Sequence, residues 1–295
     1  MAIDDSIYGV SKENVDVRGY TFSCRTAGNR AGEPVLLLHG FPETSASWLS
    51  AMAVLKDQGF FLVAPDQRGY SPGARPLLIE AYTMDELSMD VFAIADHFGF
   101  ETFHLIGHDW GGGIAWMMAL KHPERLKTLN VVSTPHPLAL LQAYTSGTSD
   151  QGEKSSYMQF FQQESVPEEM LLANQGDGLR MMFKLSGLDT EKKEYQSQLS
   201  EYIDTLLEPH AMTCALNWYR AMGKSDMSFL GPVEIPTLYI WSTEDVALGR
   251  EAAEATENFV NAPYRFEVLE GLSHWIPEEA PEIMANLLGQ HMKVS

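Results

Sequence analysis

Five residues, Gly107-His108-Asp109-Trp110-Gly111, constrain this chain more than any other stretch of it. The apolar run Phe103-His104-Leu105-Ile106 ahead of them reads as a short buried strand, and Ile114 to Lys121 after them reads as a helix. A strand that passes into a helix so abruptly makes a strained turn in which a Cβ at either flanking position would clash, and glycine stands at both. Such a turn lifts its central side chain, here Asp109, above the sheet. The pattern commits the chain to alternating strands and helices, with a carboxylate presented where one strand ends.

The residue type at the centre decides the chemistry. Serine in that place suits attack on a carbonyl carbon, because the acyl-enzyme it forms is an ester that water later opens. On a saturated carbon, serine would form a dead-end ether. Aspartate attacking a saturated carbon forms an ester whose carbonyl belongs to the enzyme, so water attacks that carbonyl and releases a product with one new hydroxyl. With a reference pKa of about 4, Asp109 needs no base to ionise it near neutral pH, which leaves a histidine free to activate water in the second step. The sequence therefore points to displacement at an sp3 carbon.

That histidine, and an acid to orient it, are expected at the ends of later strands. Thr237-Leu238-Tyr239-Ile240-Trp241 leads into Ser242-Thr243-Glu244-Asp245, and Phe266-Glu267-Val268-Leu269 leads into Gly271-Leu272-Ser273-His274-Trp275. The chain order is nucleophile, acid, histidine. His274 is expected to take a proton from the attacking water, and the acid to fix its tautomer and stabilise the imidazolium that forms. Two adjacent acids compete for that role; the spacing from the strand favours Asp245 over Glu244. A third piece, His39-Gly40-Phe41-Pro42, ends the first clear parallel strand. Its glycine lets the backbone come close, so that the N–H groups of Phe41 and Trp110 form an oxyanion hole for ester hydrolysis. The Phe41-Pro42 bond is compatible with either cis or trans.

Short apolar runs alternate with helical patterns along the chain: Val35 to His39, Phe61 to Pro65, Phe103 to Gly107, Leu129 to Ser133, Thr237 to Trp241 and Arg265 to Leu269. This is the order of an α/β protein with a largely parallel sheet, to which a hairpin over about Asn14 to Thr26 adds antiparallel strands. Tyr82 to Phe98 carries apolar residues at Leu87, Val91, Ile94 and Ala95 and acids at Asp85, Glu86 and Asp90, the pattern of an amphipathic helix with acids at its positive end. Between Pro135 and Pro232 the strand pattern stops, and the chain turns helical and rich in Met, Gln, Glu and Tyr, as a cap would be. Within it, residues 146–152 read as a flexible loop near an entrance, and Met181-Met182-Phe183 as an apolar cluster facing either a substrate tunnel or the core.

At 295 residues and 45% hydrophobic content the chain buries a large core, as one domain with an insertion. A net charge of −20 opposes binding to nucleic acid or to an anionic membrane and weighs against a small anionic substrate. Met1-Ala2-Ile3-Asp4-Asp5-Ser6 has no basic region followed by an apolar run, and no stretch approaches the roughly 18 apolar residues of a membrane span, so a cytoplasmic enzyme is expected. Cys24 and Cys214 are too far apart for a metal-ligand spacing or a disulfide framework. Asp66 and Arg68 read as a turn network, His108 as packing behind the site, and His136 as a residue at the cap boundary.

Taken together, His39-Gly40-Phe41-Pro42, Asp66-Gln67-Arg68-Gly69-Tyr70-Ser71, Gly107-His108-Asp109-Trp110-Gly111-Gly112 and the surroundings of Asp245 and His274 resemble the epoxide hydrolases of the α/β-hydrolase fold. The resemblance covers essentially the whole chain. It implies a mostly parallel eight-stranded sheet flanked by helices, with core residues 1–135 and 232–295 and a helical cap over 136–231. It also implies no cofactor, no metal, a small hydrophobic epoxide as substrate, and a monomer or homodimer. In that family two cap tyrosines donate hydrogen bonds to the epoxide oxygen. Ser156-Tyr157-Met158-Gln159-Phe160-Phe161-Gln162 is similar to the segment holding the first, at Tyr157, and Leu216-Asn217-Trp218-Tyr219-Arg220 to the segment holding the second, at Tyr219. Trp110, Phe41, Phe160 and Met182 are the expected substrate contacts, and the apolar cap around Phe160, Phe161, Met181, Met182 and Phe183 suggests an aryl or other hydrophobic substituent.

Haloalkane dehalogenases share several of these motifs, but a halide leaves with weak N–H donors and no proton, whereas the alkoxide left by an epoxide calls for donors such as the tyrosines. Fluoroacetate-type dehalogenases carry arginine after the nucleophile, where this chain has Trp110. A protein that keeps the fold and pocket without turnover is the remaining alternative, separated from the others by an assay for diol and for halide.

Overall fold

Apolar runs bounded by polar turns become strands, and their alternation sorts side chains onto two faces. In the computed structural model, which describes residues 3–294, the strands are β1 (Val10–Val17), β2 (Tyr20–Gly28), β3 (Glu33–Leu38), β4 (Phe60–Pro65), β5 (Phe103–His108), β6 (Leu126–Val132), β7 (Thr237–Ser242) and β8 (Tyr264–Leu269). They form one eight-stranded sheet in the order β1-β2-β4-β3-β5-β6-β7-β8. The pairs from β4 to β8 are parallel, and β2 pairs antiparallel with both β1 and β4. The mostly parallel sheet with an N-terminal hairpin expected from the sequence is therefore present.

Helices α1 (Leu49–Leu55), α2 (Met84–His97), α3 (Trp110–Lys121), α4 (Pro137–Thr145), α5 (Gln151–Lys154), α6 (Tyr157–Phe161), α7 (Val166–Leu185), α8 (Lys193–Leu207), α9 (Ala211–Arg220), α10 (Arg250–Ala255), α11 (Ile276–Glu279) and α12 (Pro281–Val294) complete it. Leu36, Leu38, Leu105 and Val131 point to a core shared with α2 and α3, while Val35, Leu37, Ile106 and Val132 point to one shared with α1 and α12. Adjacent residues of one strand thus feed opposite faces, which is why β4, β5 and β7 are buried along their whole length. Helices α4 to α9 all fall between β6 and β7, with no strand among them. Helix α7 is broken at Asn174 and Gln175, whose φ values of 49° and 63° are left-handed. Among the described residues no helix is long and apolar enough to cross a membrane.

Two expectations need correction. Strand β6 starts at Leu126 rather than Leu129, because Thr128 is buried with its hydroxyl 2.8 Å from His104 Nδ1, so a polar letter hides a core position. Residues 146–152 are not a loop throughout: α5 starts at Gln151, whose buried amide donates to Ala247 O and accepts the Gly249 N–H, each at 2.8 Å. Of the two readings open for Met181-Met182-Phe183, Phe183 takes the core, fully buried against Tyr202 and Trp275.

Candidate active site

The turn after β5 is as tight as its glycines require. A Cβ on Gly107 would lie 2.2 Å from Gly111 O, and one on Gly111 would lie 2.2 Å from Leu38 O. Asp109 itself sits at φ 49°, ψ −118°, a strained conformation for a residue with a side chain. Its carbonyl is held by Thr134 Oγ1 at 2.7 Å and by the Gly113 N–H at 3.0 Å.

The carboxylate of Asp109 reaches two elements. Oδ1 accepts the Phe41 N–H at 2.9 Å, in the loop after β3, where Phe41-Pro42 is cis. Gly40 permits this approach, since a Cβ there would stand 2.4 Å from Asp109 Cβ. Trp110 is the first residue of α3, so its N–H is among the donors that a helix N-terminus leaves unpaired within the helix. Oδ2 lies 3.6 Å from His274 Nε2, a charge contact longer than a hydrogen bond.

His274 follows β8, and its Nδ1 lies 2.8 Å from Asp245 Oδ2. The other oxygen of Asp245 accepts the N–H groups of Ala247 at 2.8 Å and Leu248 at 2.9 Å, which locks the carboxylate in place. Of the two adjacent acids, the structure brings Asp245 to the histidine and leaves Glu244 exposed. Burial alone would lower the pKa of His274, but Asp245 and Asp109 outweigh it and hold the imidazole well above its ordinary value. Burial would likewise raise the carboxyl of Asp109; His274, His108 and the Phe41 N–H override it and hold the group below the usual carboxylate range.

Tyr157 on α6 and Tyr219 on α9 lie with ring centroids 6.2 Å apart, and Tyr219 packs edge-on to Trp110 at 5.0 Å and to Phe41 at 5.3 Å. Burial pushes both phenols well above their ordinary pKa; for Tyr157 the charge of Asp109 adds to this, and for Tyr219 the neighbouring Tyr157 and then Asp109 do. Both remain O–H donors at neutral pH. Helix α9 is anchored beneath by Trp218, whose indole N–H donates to Arg68 O at 2.9 Å.

Two apolar cavities, of about 480 and 450 Å³, meet at Asp109 and Tyr157. Trp110, Leu140, Met158 and Trp218 line the first; Phe41, Phe160, Met182, Tyr219 and His274 line the second. Neither has a lysine or arginine in its lining. The structure thus gathers Asp109, Asp245, His274, Tyr157, Tyr219, Phe41, Trp110, Phe160 and Met182 around one cleft.

Other residues singled out in the sequence lie elsewhere. Asp66 and Arg68 do not pair with each other: Asp66 accepts from Ser45 Oγ at 2.6 Å, and Arg68 forms a bidentate pair with Asp90 on α2. His136 accepts the Leu138 N–H at 3.1 Å and so caps α4. Cys24 and Cys214 are buried free thiols. Sequence reasoning passed over Glu43, which is fully buried with Oε2 2.9 Å from His108 Nδ1. Nothing in a lone glutamate after Pro42 separates it from a surface acid.

Comparison with known proteins finds relatives over almost the whole chain. The alpha/beta hydrolase fold family matches residues 33–281. The chain is 36% identical to the AB hydrolase superfamily protein YfhM of Bacillus subtilis, over 97% of this chain and 99% of that protein. It is 34% identical to Epoxide hydrolase 4 of Mus musculus, over 93% of this chain and 77% of that one. Among solved structures, one described as novel epoxide hydrolases from metagenomes of hot environments superposes with a TM-score of 0.82 at 29% identity, covering 95% of this chain and 98% of that chain.

Proposed function

Because the chain belongs to the α/β-hydrolase fold family, with epoxide hydrolases among its relatives, we propose that it is an epoxide hydrolase that converts apolar epoxides to vicinal diols. The observation that carries this reading is a carboxylate, in place of a serine, at the tip of the turn after β5, in a cleft it shares with two protonated phenols. In this reading residues 136–231 are a cap on a core made of 1–135 and 232–295.

Tyr157 and Tyr219 hold the epoxide oxygen by hydrogen bonds. Oδ2 of Asp109 attacks a ring carbon, the carbon–oxygen bond opens, and a phenol proton passes to the alkoxide. Oδ1, already on the Phe41 N–H, becomes the carbonyl oxygen of the hydroxyalkyl ester. Ester formation removes the negative charge of Asp109, one of the two that hold His274 protonated, so the imidazole gives up its proton and becomes a base when one is needed. That proton restores the phenol. His274, oriented by Asp245, then draws a proton from water, and the hydroxide attacks the ester carbonyl carbon. The oxyanion that develops on Oδ1 is met by the N–H groups of Phe41 and Trp110. As it collapses, the bond from the carbonyl carbon to the alkyl oxygen breaks, and the departing alkoxide takes the proton of the newly formed Asp109 acid. The diol leaves with Asp109 ionised and His274 protonated as at the start.

The two phenols favour this reading over halide displacement, which needs no proton donor. The test is single-turnover hydrolysis of styrene oxide by excess enzyme in heavy-oxygen water. Label in the Asp109 carboxylate with unlabelled first-turnover diol is expected. Label directly in the diol would make Asp109 a base acting on water, and halide release from a haloalkane with no diol from any epoxide would overturn the reading.

A further inference from the structure

His108 precedes the nucleophile in sequence and touches neither cavity. Its Nε2 lies 3.0 Å from the carbonyl oxygen of His274, which also accepts Ser133 Oγ–H at 3.2 Å. A carbonyl only accepts, so Nε2 carries a proton. Nδ1 of the same ring faces Glu43 Oε2, which accepts the Gly40 N–H at 2.9 Å as well. The backbone of His274 is therefore tied, through one buried ring, to one buried carboxyl group.

Glu43 is not alone. Glu278, at the end of the turn that follows His274, is buried, and its Oε1 accepts the hydroxyl of Tyr202 at 2.7 Å. Tyr202 belongs to α8, so the contact joins the helical insertion to the core. Glu278 and Glu43 lie near enough that the charge of Glu43 bears on the ionisation of Glu278. Among the described residues Glu43 Oε1 and Glu278 Oε2 are both buried with no hydrogen-bond partner. Ionised carboxylates only accept hydrogen bonds, so two such orphaned oxygens can satisfy each other only if one of them carries a proton.

We propose that Glu43 and Glu278 share one proton between Glu43 Oε1 and Glu278 Oε2, and that this buried acid–carboxylate pair positions His274 by holding His108 against its carbonyl. Glu278 is then a positioning residue; it touches no substrate. Burial first, and the charge of Glu43 second, push the acid of Glu278 well above the usual range. Burial opposes ionisation of Glu43 too, but His108 and the Gly40 N–H outweigh it, so the charge rests on Glu43. The other titratable groups around the pair are His39 from the end of β3, with Tyr202 and Glu201 from α8. The charge of Glu201 is met by Arg25. Glu279 turns the other way, to Ser273. As pH rises through the raised pKa of Glu278 the proton is lost, two buried anions face each other, and the support of His274 fails.

Infrared difference spectra at neutral pH test the shared proton without reference to activity. A carbonyl stretch of a protonated carboxylic acid is expected in the wild type and absent in Glu278→Gln; no such difference overturns the proposal. The positioning role rests on His274 being the base for ester hydrolysis and is tested by single-turnover kinetics. Glu278→Gln keeps a donor toward Glu43 and is expected to break down the ester near the wild-type rate at neutral pH, without the wild type's alkaline loss. Glu278→Leu is expected to slow ester breakdown by about tenfold with ring opening unchanged. Tyr202→Phe removes a hydrogen bond that favours ionised Glu278, so the alkaline loss moves to higher pH even if Glu278→Leu fails to fold. Ester breakdown as slow in Glu278→Gln as in Glu278→Leu, or an unmoved alkaline limb in Tyr202→Phe, overturns the positioning role. An absence of diol from the wild type bears on the functional reading alone, because the infrared result stands apart from it.

Discussion

Nε2 of His274 lies 3.6 Å from Oδ2 of Asp109 while Nδ1 of the same ring lies 2.8 Å from Oδ2 of Asp245, so one imidazole stands between two carboxylates. Each favours the charged ring, and together they overcome the burial that opposes it. Removing either charge is expected to return the ring toward its ordinary behaviour.

Asp109→Asn should therefore lower the pKa of His274, read from its ring-proton shifts by NMR. The same change has a consequence for stability. A histidine raised in the folded state stabilises fully below its unfolded pKa of about 6.5, and the stabilisation fades as pH rises through the folded value. The wild type should lose stability across that window, and Asp109→Asn should lose less. Identical His274 titrations in the two proteins would show that the carboxylate of Asp109 does not reach the ring.

Tyr219 is 2% exposed and its ring touches Phe41, Phe161 and Trp110, so a phenylalanine there keeps the packing and loses only the hydroxyl. If that hydroxyl stabilises developing alkoxide charge as oxyanion donors do, Tyr219→Phe should slow ring opening by about a hundredfold, near 2.7 kcal/mol, with the unfolding midpoint little changed. Rapid-quench measurement of ester formation separates this step from hydrolysis. A variant that opens the ring at the wild-type rate removes Tyr219 from the mechanism.

The two cavities make the site sensitive to where the ring sits in its substrate. An epoxide with apolar arms on both ring carbons occupies both lobes, while a terminal epoxide needs only one. Leu140→Trp narrows the first lobe and Met182→Trp the second. Either variant should depress kcat/KM for the two-armed substrate, and only one of them should do so for a terminal epoxide of equal carbon number. Equal turnover of a small hydrophilic epoxide would undercut an apolar fit altogether.

The sequence revealed the parts of this site that rest on local necessity. Gly107 and Gly111 announce the turn because no other residue fits it, and Asp245 and His274 follow from where β7 and β8 end. Phe160 and Met182 came with the segments around them. What stayed hidden depends on partners distant in the chain. Glu43, Glu278 and Tyr202 read as ordinary surface-type letters, and only folding brings them together under His108. Phe183 and Met182 are neighbours with opposite fates, since a helical face is set by what docks on it and not by hydrophobicity alone. Thr128 shows the same limit in a strand, where a hydroxyl is buried because His104 stands opposite.

Arg68 likewise looked like part of a turn and proves to tie α2 to the site. Its Nε and Nη2 donate to the two oxygens of Asp90 at 2.6 and 2.7 Å, with side chains 1% and 5% exposed. Its carbonyl accepts the indole N–H of Trp218, the residue before Tyr219. Truncating one partner of a buried pair costs about 3–5 kcal/mol, because the other charge is left without its match. Here Arg18 also donates to Asp90 Oδ1, at 2.6 Å, so Arg68→Leu should fall at the lower end of that range. Arg68→Lys should recover only part of the loss, since an ammonium cannot reproduce the two-pronged geometry. Arg68→Leu combined with Asp90→Leu should be more stable than Arg68→Leu alone, because the second change removes the stranded charge. Urea unfolding of the three variants reads all of this directly, and a single Arg68→Leu as stable as the wild type would mean that the pair holds α2 to no effect.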